Sequence, residues 1–493
     1  MYCIRNKALR LILSGCFAAF ILVSLQTFAA ELSPALRAAL QAEPSPVDIL
    51  VYMKSRADFS FATAILDRSA RTEFVYNQLV AEASLSQKPV IGLALEAGFE
   101  VRSFHIENVV LVKGANASFV AKLLLRKDVR RVALDAKIPM RLPDNPEKEA
   151  EVLPTDPLRM VAALRVWSEL EVRGEGIVVA GQDTGVRWDH ETLMNQYRGV
   201  KNGVLQSHDY NWHDAIHSSS GSCGSSSVAP CDDHSHGTHT IGTIVGDNGR
   251  GVITGVAPRA QWIACRNMDK GVGTVSSYLE CFEFFMSPFP VGGNAKEHGD
   301  PALAPHIINN SWSCPRSEGC DGEEFVDTVR ALNAAGILTV VSAGNDGPGC
   351  ESVSNPPGMY SGLVISVGAF NRYRREIAFF SSRGPSAWNG ELAPSLTAPG
   401  SNIRSATHET RSSYGEKSGT SMAGPHVAGV AALLWSARPE LIGDIENTMA
   451  TLMQTSDPIL KGKSCAGFPG GQHPSAVYGW GMVNAYRAIT GSN

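Results

Sequence analysis

The sequence predicts an α/β protein, a mostly parallel sheet covered by helices on both faces, preceded by a small ferredoxin-like α+β domain. Three observations predict this. From about Leu158 onward, the apolar runs "GIVVAGQD", "QWIACRNM", "HIINNSW", "ILTVVSAGN" and "LVISVGAF" alternate with helical stretches near 276–286, 323–335 and 421–437. Short strands apolar on both faces belong to buried parallel sheets. Residues 47–135 follow a different order, βαββαβ, which is a ferredoxin-like unit. Polar or reactive residues also sit just past the carboxyl ends of the later strands, where open α/β sheets bind ligands.

The elements follow in order. Residues 1–30 read as a signal peptide: Arg5, Lys7 and Arg10 precede the apolar "LILSGCFAAFILVSL", and "TFAA" offers cleavage after Ala29 or Ala30. "LSGC" matches a lipoprotein box, but it follows Arg10 too closely to leave room for an apolar core. In the small domain "VDILVYM" is a strand by its β-branched and aromatic content. A helix is expected from about Ala57 to Ser84, burying Phe61, Ile65, Phe74 and Leu79. A hairpin over "FEVRSFHIENVVLVKG", a helix over "ASFVAKLLLRK" and a strand over "VRRVALD" complete the unit. The linker 141–157, "RLPDNPEKEAEVLPTDP", combines four prolines with a charge run and reads as an exposed processing site. The larger domain is then 158–493. Within it "SSSGSCGSSS" and the insert "MSPFPVGGNAKEHGDPALAP" read as surface loops.

Composition narrows the function classes. With 493 residues, 44% hydrophobic and 18% charged, the chain is neither disordered nor a coiled coil. A net charge of −5 gives no basic footprint for nucleic acid. After residue 30 no apolar run is long enough to span a membrane. Of ten cysteines, Cys3 and Cys16 leave with the signal, and eight remain, all from Cys223 onward. An even number in an exported chain favours disulfides. Cys223–Cys231 and Cys314–Cys320 are the expected local bridges, with Cys265–Cys281 and Cys350–Cys465 as the remainder.

The chemistry is concentrated in a few stretches. "CDDHSHGTHTIG" places His234, His236 and His239 as H-x-H-x-x-H, which could be a metal cradle for a metal-dependent hydrolase. It lacks the aspartate that a metallo-β-lactamase-like H-x-H-x-D-H site requires. "VVAGQDTGV" ends a buried strand at Asp183, with Gly185 in the turn. "SGTSMAGPHVAGVAALL" puts Ser421 at the head of a long apolar helix, with Pro425 expected in its first turn, where a missing N–H does little harm.

D-T-G, H-G-T-H and G-T-S-M-A-x-P, in that order and well separated, resemble the subtilisin-like serine proteases of peptidase family S8. The resemblance covers about Trp167–Ala488 and implies a subtilisin-like three-layer sandwich, with 31–140 resembling that family's inhibitory propeptide. Asp–His–Ser is the subtilisin chain order. Carried over residue by residue, the resemblance makes Ser421 the nucleophile, His236 its base, Asp183 the group that orients the base, and Asn345 in "VVSAGNDG" the oxyanion donor. It implies that substrate joins backbone edges at Gly271–Gly273 and at Ser311, Trp312 and Ser313, with Asn355 near the base of the primary pocket. Ser313 stands where the family usually has glycine, and no acidic residue is evident in the pocket. "CRNMDKGVGT", "YLECFEFF" and "NNSWSC" are similar to the bacillopeptidase F branch. The expected protein is a secreted (extracellular or periplasmic) serine endopeptidase, made as a self-inhibited precursor. It would be monomeric, act on proteins or peptides, and need no cofactor for catalysis. Structural calcium finds no specific motif, since Thr192 replaces an aspartate that many subtilisins carry. A non-catalytic binding relative and the metal hydrolase are the competing expectations.

Overall fold

A computed structural model describes residues 30–42, 46–143, 156–462 and 464–492. The expected signal peptide, apart from Ala30, and most of the expected linker (144–155) lie outside the described residues.

The small domain is a five-stranded sheet with three helices on one face and its longest helix, Arg68–Ser86, on the side of the larger domain. Its elements are β1 (Glu31–Leu32), α1 (Pro34–Ala42), β2 (Val47–Met53), α2 (Arg68–Ser86), α3 (Lys88–Glu96), β3 (Val101–Phe104), β4 (Val109–Ala115), α4 (Ala117–Leu124) and β5 (Val129–Leu134). The spatial order is β1-β5-β2-β4-β3, so strands β2 to β5 form the ferredoxin-like arrangement with β1 added at the edge. Alternation along β2 sends side chains to two cores. Ile49, Val51 and Met53 join the cluster under α1, α3 and α4, whereas Leu50 and Tyr52 face the larger domain.

One expectation fails here. The helix begins at Arg68, not near Ala57, because Asp67 caps it by accepting a hydrogen bond from Ala70 N. The preceding residues make only a short 3₁₀ turn at Ala62–Ala64, so Phe61 is exposed and Ile65 half-buried. The apolar spacing ran on through the cap.

In the larger domain the strands of the main sheet and of the small sheet beside it are β7 (Val178–Asp183), β8 (Trp212–Asp214), β9 (Gln261–Arg266), β10 (Met268–Asp269), β11 (Val272–Thr274), β12 (Ile307–Asn310), β13 (Leu338–Ser342), β14 (Ile365–Asn371), β15 (Glu376–Ile377) and β16 (Leu396–Pro399). Between the domains runs β6 (Lys137–Pro139). The main sheet has the order β8-β9-β7-β12-β13-β14-β15, with β16 also on β14. Every pair in it is parallel except β14–β15. β9 and β12 lie on opposite sides of β7, which creates a switch point at the carboxyl end of β7. Helices α5 (His236–Val245) and α8 (Thr420–Ala437) pack on one face, and α6 (Val275–Met286) and α7 (Val326–Ala334) cover the other.

The small domain sits on α6 and α7, and one apolar cluster runs through both domains, from Tyr52 and Val75 to Phe282 and Phe325. Polar groups cap across the junction. Asp135 accepts from Ser276 N at the start of α6, and Glu107 accepts from Thr328 N at the start of α7. In return Glu283 accepts from His105 N. The insert at 286–305 is no free loop, because Tyr76 of α2 donates its hydroxyl hydrogen to Ala295 O. All four disulfides form as expected: Cys223–Cys231, Cys265–Cys281, Cys314–Cys320 and Cys350–Cys465. Among the described residues no helix is long and apolar enough to cross a membrane.

α8 is buried along almost its whole length, and its small residues let neighbours come close. A Cβ added at Gly429 would lie 2.5 Å from Val256 Cβ. Gly429→Ala should therefore destabilise the protein by about 1–3 kcal/mol through overpacking. The check is a lower urea midpoint at unchanged m-value.

Candidate active site

The site is built from two close approaches of backbone. In the first, the turn after β7 meets the start of α5. His236 Nδ1 lies 2.8 Å from Asp183 Oδ1, with both side chains buried. Asp232 holds the helix start, accepting from Ser235 N, from Thr238 N and Oγ1, and from Thr184 Oγ1. Thr184 Oγ1 in turn accepts from Gly237 N. The glycines of both motifs are there because a side chain would not fit. A Cβ on Gly237 would stand 2.1 Å from Gly185 O, and one on Gly185 would stand 1.8 Å from Cys231 O.

In the second approach, α8 meets the ends of β12 and β13. The helix begins at Thr420, which places Pro425 in the second turn rather than the expected first. There its missing N–H leaves the carbonyl of residue 421 without an i→i−4 donor. Ser311 Oγ fills that vacancy, donating to Ser421 O at 3.0 Å. Ser421 Oγ donates back to Ser311 O, also at 3.0 Å. His236 Nε2 is buried without a hydrogen-bond partner. Asn345 Oδ1 accepts from Thr420 N at 2.9 Å and from Thr420 Oγ1. That fixes the amide with its NH₂ group turned outward, and Asn345 Nδ2 donates to Arg141 O at 3.2 Å.

The residues expected at the substrate edges are placed unequally. β6 pairs antiparallel with β11, matching Ile138 to Gly273 and Pro139 to Val272, and Met140 N donates to Gly271 O at 2.7 Å. Gly273 has no room for a side chain, since a Cβ would come 2.6 Å from the Tyr278 ring. Ser311–Ser313 are not in a strand, and Ser311 is engaged with Ser421. Trp312 is buried and stacks on Tyr278 at 4.0 Å between ring centroids. Ser313 is half-buried. Asn355 Nδ2 donates to Asp346 Oδ2 at 2.8 Å. A residue absent from the sequence expectations is Glu318, which lies between Cys314 and Cys320 and holds the Arg141 guanidinium. A carboxylate in a small disulfide loop just after "NNSW" was the available signal.

The three histidines do not form a cradle. His236 is committed to Asp183, and His239 Nε2 donates to Ile403 O at 2.8 Å inside the core. His234 packs against Gly271, and burial together with the charge of His236 lowers its pKa. Among the described residues no group of three or more His, Cys, Asp or Glu could hold a metal ion.

Comparison with known proteins agrees with this geometry. The subtilase family model, Peptidase_S8, matches residues 174–481. The chain belongs to the subtilase family. It is 33% identical to bacillopeptidase F of Bacillus subtilis (strain 168) over 408 residues, 79% of this chain and 26% of that protein. It is 28% identical to serine protease AprX of the same strain, over 64% of this chain and 67% of that protein. Identity to that strain's major intracellular serine protease is 31%, over 57% of this chain and 75% of that protein. The chain thus spans only a minor part of bacillopeptidase F. The subtilase match also agrees with the three-layer α/β architecture seen here.

Burial pushes the His239 imidazole down to about 3. In the unfolded chain it titrates near about 6.5, so between these values the unfolded state binds more protons and stability rises with pH. Lowering the pH from 7.5 to 4.5 should therefore cost about 2 kcal/mol at this one site. His239→Gln should reduce the acid loss by that order, read from urea midpoints at the two pH values.

Proposed function

We propose that this protein is a serine endopeptidase that cuts peptide bonds through an acyl-enzyme at Ser421. The observation that carries this is the buried Asp183–His236 hydrogen bond set beside the head of α8, with Asn345 aimed at a peptide carbonyl. A serine hydroxyl needs a neighbouring base before it attacks. In the working enzyme Ser421 Oγ leaves Ser311 O and gives its proton to His236 Nε2 as it adds to the substrate carbonyl. Asp183 keeps the His236 Nδ1 proton in place and stabilises the imidazolium. Asn345 Nδ2 donates to the developing oxyanion. His236 then passes the proton to the departing amine, and water repeats the sequence on the ester. No metal or cofactor has a part in these steps.

We infer further that residues 31–140 serve as an inhibitory propeptide and folding template within the precursor. Two features support it: the shared apolar cluster, and the docking of β6 on β11 with residues 140–141 in the cleft. Export to an oxidising compartment, periplasmic or extracellular, fits four disulfides in one chain.

Ser421→Ala should abolish casein hydrolysis and labelling by a fluorophosphonate probe, and should accumulate as full-length precursor. Asn345→Ala should retain labelling but lose about 10²–10³ in kcat. Normal processing of purified Ser421→Ala, with no added protease, would remove the self-cleavage proposal. Chelator-sensitive activity without probe labelling would point instead to a metal hydrolase.

A further inference from the structure

The segment from Lys137 to Arg141 lies in the cleft as a bound peptide would. Its register is set by backbone bonds at both ends: Met140 N to Gly271 O, and Asn345 Nδ2 to Arg141 O. The carbonyl presented to the oxyanion donor is therefore that of Arg141, which makes Arg141 the residue before the bond to be cut. Its side chain does not enter an apolar slot. Nε donates to Glu318 Oε1 at 2.8 Å, Nη2 lies 2.7 Å from the same oxygen, and Nη2 also donates to Ser317 Oγ at 2.8 Å.

We infer that Glu318 makes the primary pocket of this protease select arginine, and that Arg141–Leu142 is the bond it first cuts in its own chain. The inference rests on the serine-protease reading of Ser421.

Four further observations support it. The Glu318 side chain is only 9% exposed while that of Arg141 is 53% exposed, so the acid belongs to the protein wall and the arginine reaches it from the cleft. Glu318 Oε2 is buried with no hydrogen-bond partner, which leaves a spare acceptor on the carboxylate whose Oε1 already holds the guanidinium. Burial raises the Glu318 pKa, and the Arg141 charge pulls it back down. An apolar side chain here would leave that carboxylate desolvated and unpaired, which is costly. Asp346, held by Asn355, adds a second acidic group on the cleft wall.

The loop is also shaped for the tail. The Cys314–Cys320 bridge closes it, and Gly319 turns it at φ 102°. A Cβ on Gly319 would meet Ala136 Cβ at 2.8 Å, just upstream of β6. Lysine would fit less well than arginine, because a single ammonium cannot reproduce a fork reaching both Glu318 and Ser317.

In the cut, Ser421 Oγ bonds to the Arg141 carbonyl carbon and its proton passes to His236. The Arg141–Leu142 C–N bond breaks, and the Leu142 nitrogen leaves as an amine carrying that proton. Water then hydrolyses the ester, giving an Arg141 carboxylate and free Ser421.

The test uses the full-length chain and peptides Ile-Pro-Met-Xaa-Leu-Pro with arginine, lysine, phenylalanine or leucine at Xaa. The wild type is expected to cleave fastest after arginine, then lysine, and the mature enzyme to begin at Leu142 by mass spectrometry. In Glu318→Gln the ratio of arginine to phenylalanine rates should fall on the order of 10²-fold. Because that readout is a ratio, a partly folded variant does not confound it, and the wild-type profile needs no variant at all. A wild type that labels with fluorophosphonate and digests casein without favouring arginine overturns this inference alone. Failure of Ser421→Ala to abolish labelling overturns the protease reading beneath it.

Discussion

The hydrogen bond between His236 Nδ1 and Asp183 is the contact on which the rest of the site depends. Neither residue is placed by its own element alone. Asp183 ends a strand clamped by parallel partners on both sides, so its backbone has little freedom. His236 opens a helix whose first turn is held by Asp232 and tied back to the strand turn through Thr184. The imidazole is thus held in one orientation by the fold itself, as the proposed role of a preorganised base requires. Replacing either glycine at the approach would drive strand and helix apart and break that alignment without touching a catalytic atom.

A second constraint places Ser421, the proposed nucleophile. A proline inside a buried helix ordinarily leaves an orphaned carbonyl, yet here the orphan belongs to Ser421 and Ser311 satisfies it. The exchange of two hydrogen bonds between Ser311 and Ser421 pins the helix head to the end of β12. It also parks the Ser421 hydroxyl away from His236. Asn345 ties the other side of the same helix head through Thr420, so the proposed oxyanion donor and the proposed nucleophile are held by one piece of structure.

These constraints explain what the sequence made legible. D-T-G and H-G-T-H could be read because each letter answers to a backbone approach or a capping bond, and such demands leave few residue choices. The parallel sheet was legible for a related reason, since strands buried on both faces are apolar throughout. The helix start at Arg68 was not legible, because Phe61 and Ile65 continue an apolar spacing that Asp67 interrupts with one capping bond. Pro425 stands one turn deeper in the helix than the local sequence indicates, because the Ser311 bond that accommodates it depends on β12. Glu318 was legible only as a carboxylate in a small disulfide loop, because the arginine that gives it meaning lies 177 residues away.

On the precursor reading proposed above, the same tail has to be both substrate and inhibitor. A short peptide ending in Arg141 would leave soon after cleavage, since a few backbone bonds and one half-exposed ion pair hold it weakly. Here the tail is tethered to a domain that caps two helices of the enzyme and shares an apolar cluster with it. Tethering keeps the local concentration of the cut end high, so the cleft stays filled after the bond is broken. Release then requires the domain junction to come apart, and the slow step of activation moves from the catalytic serine to that junction.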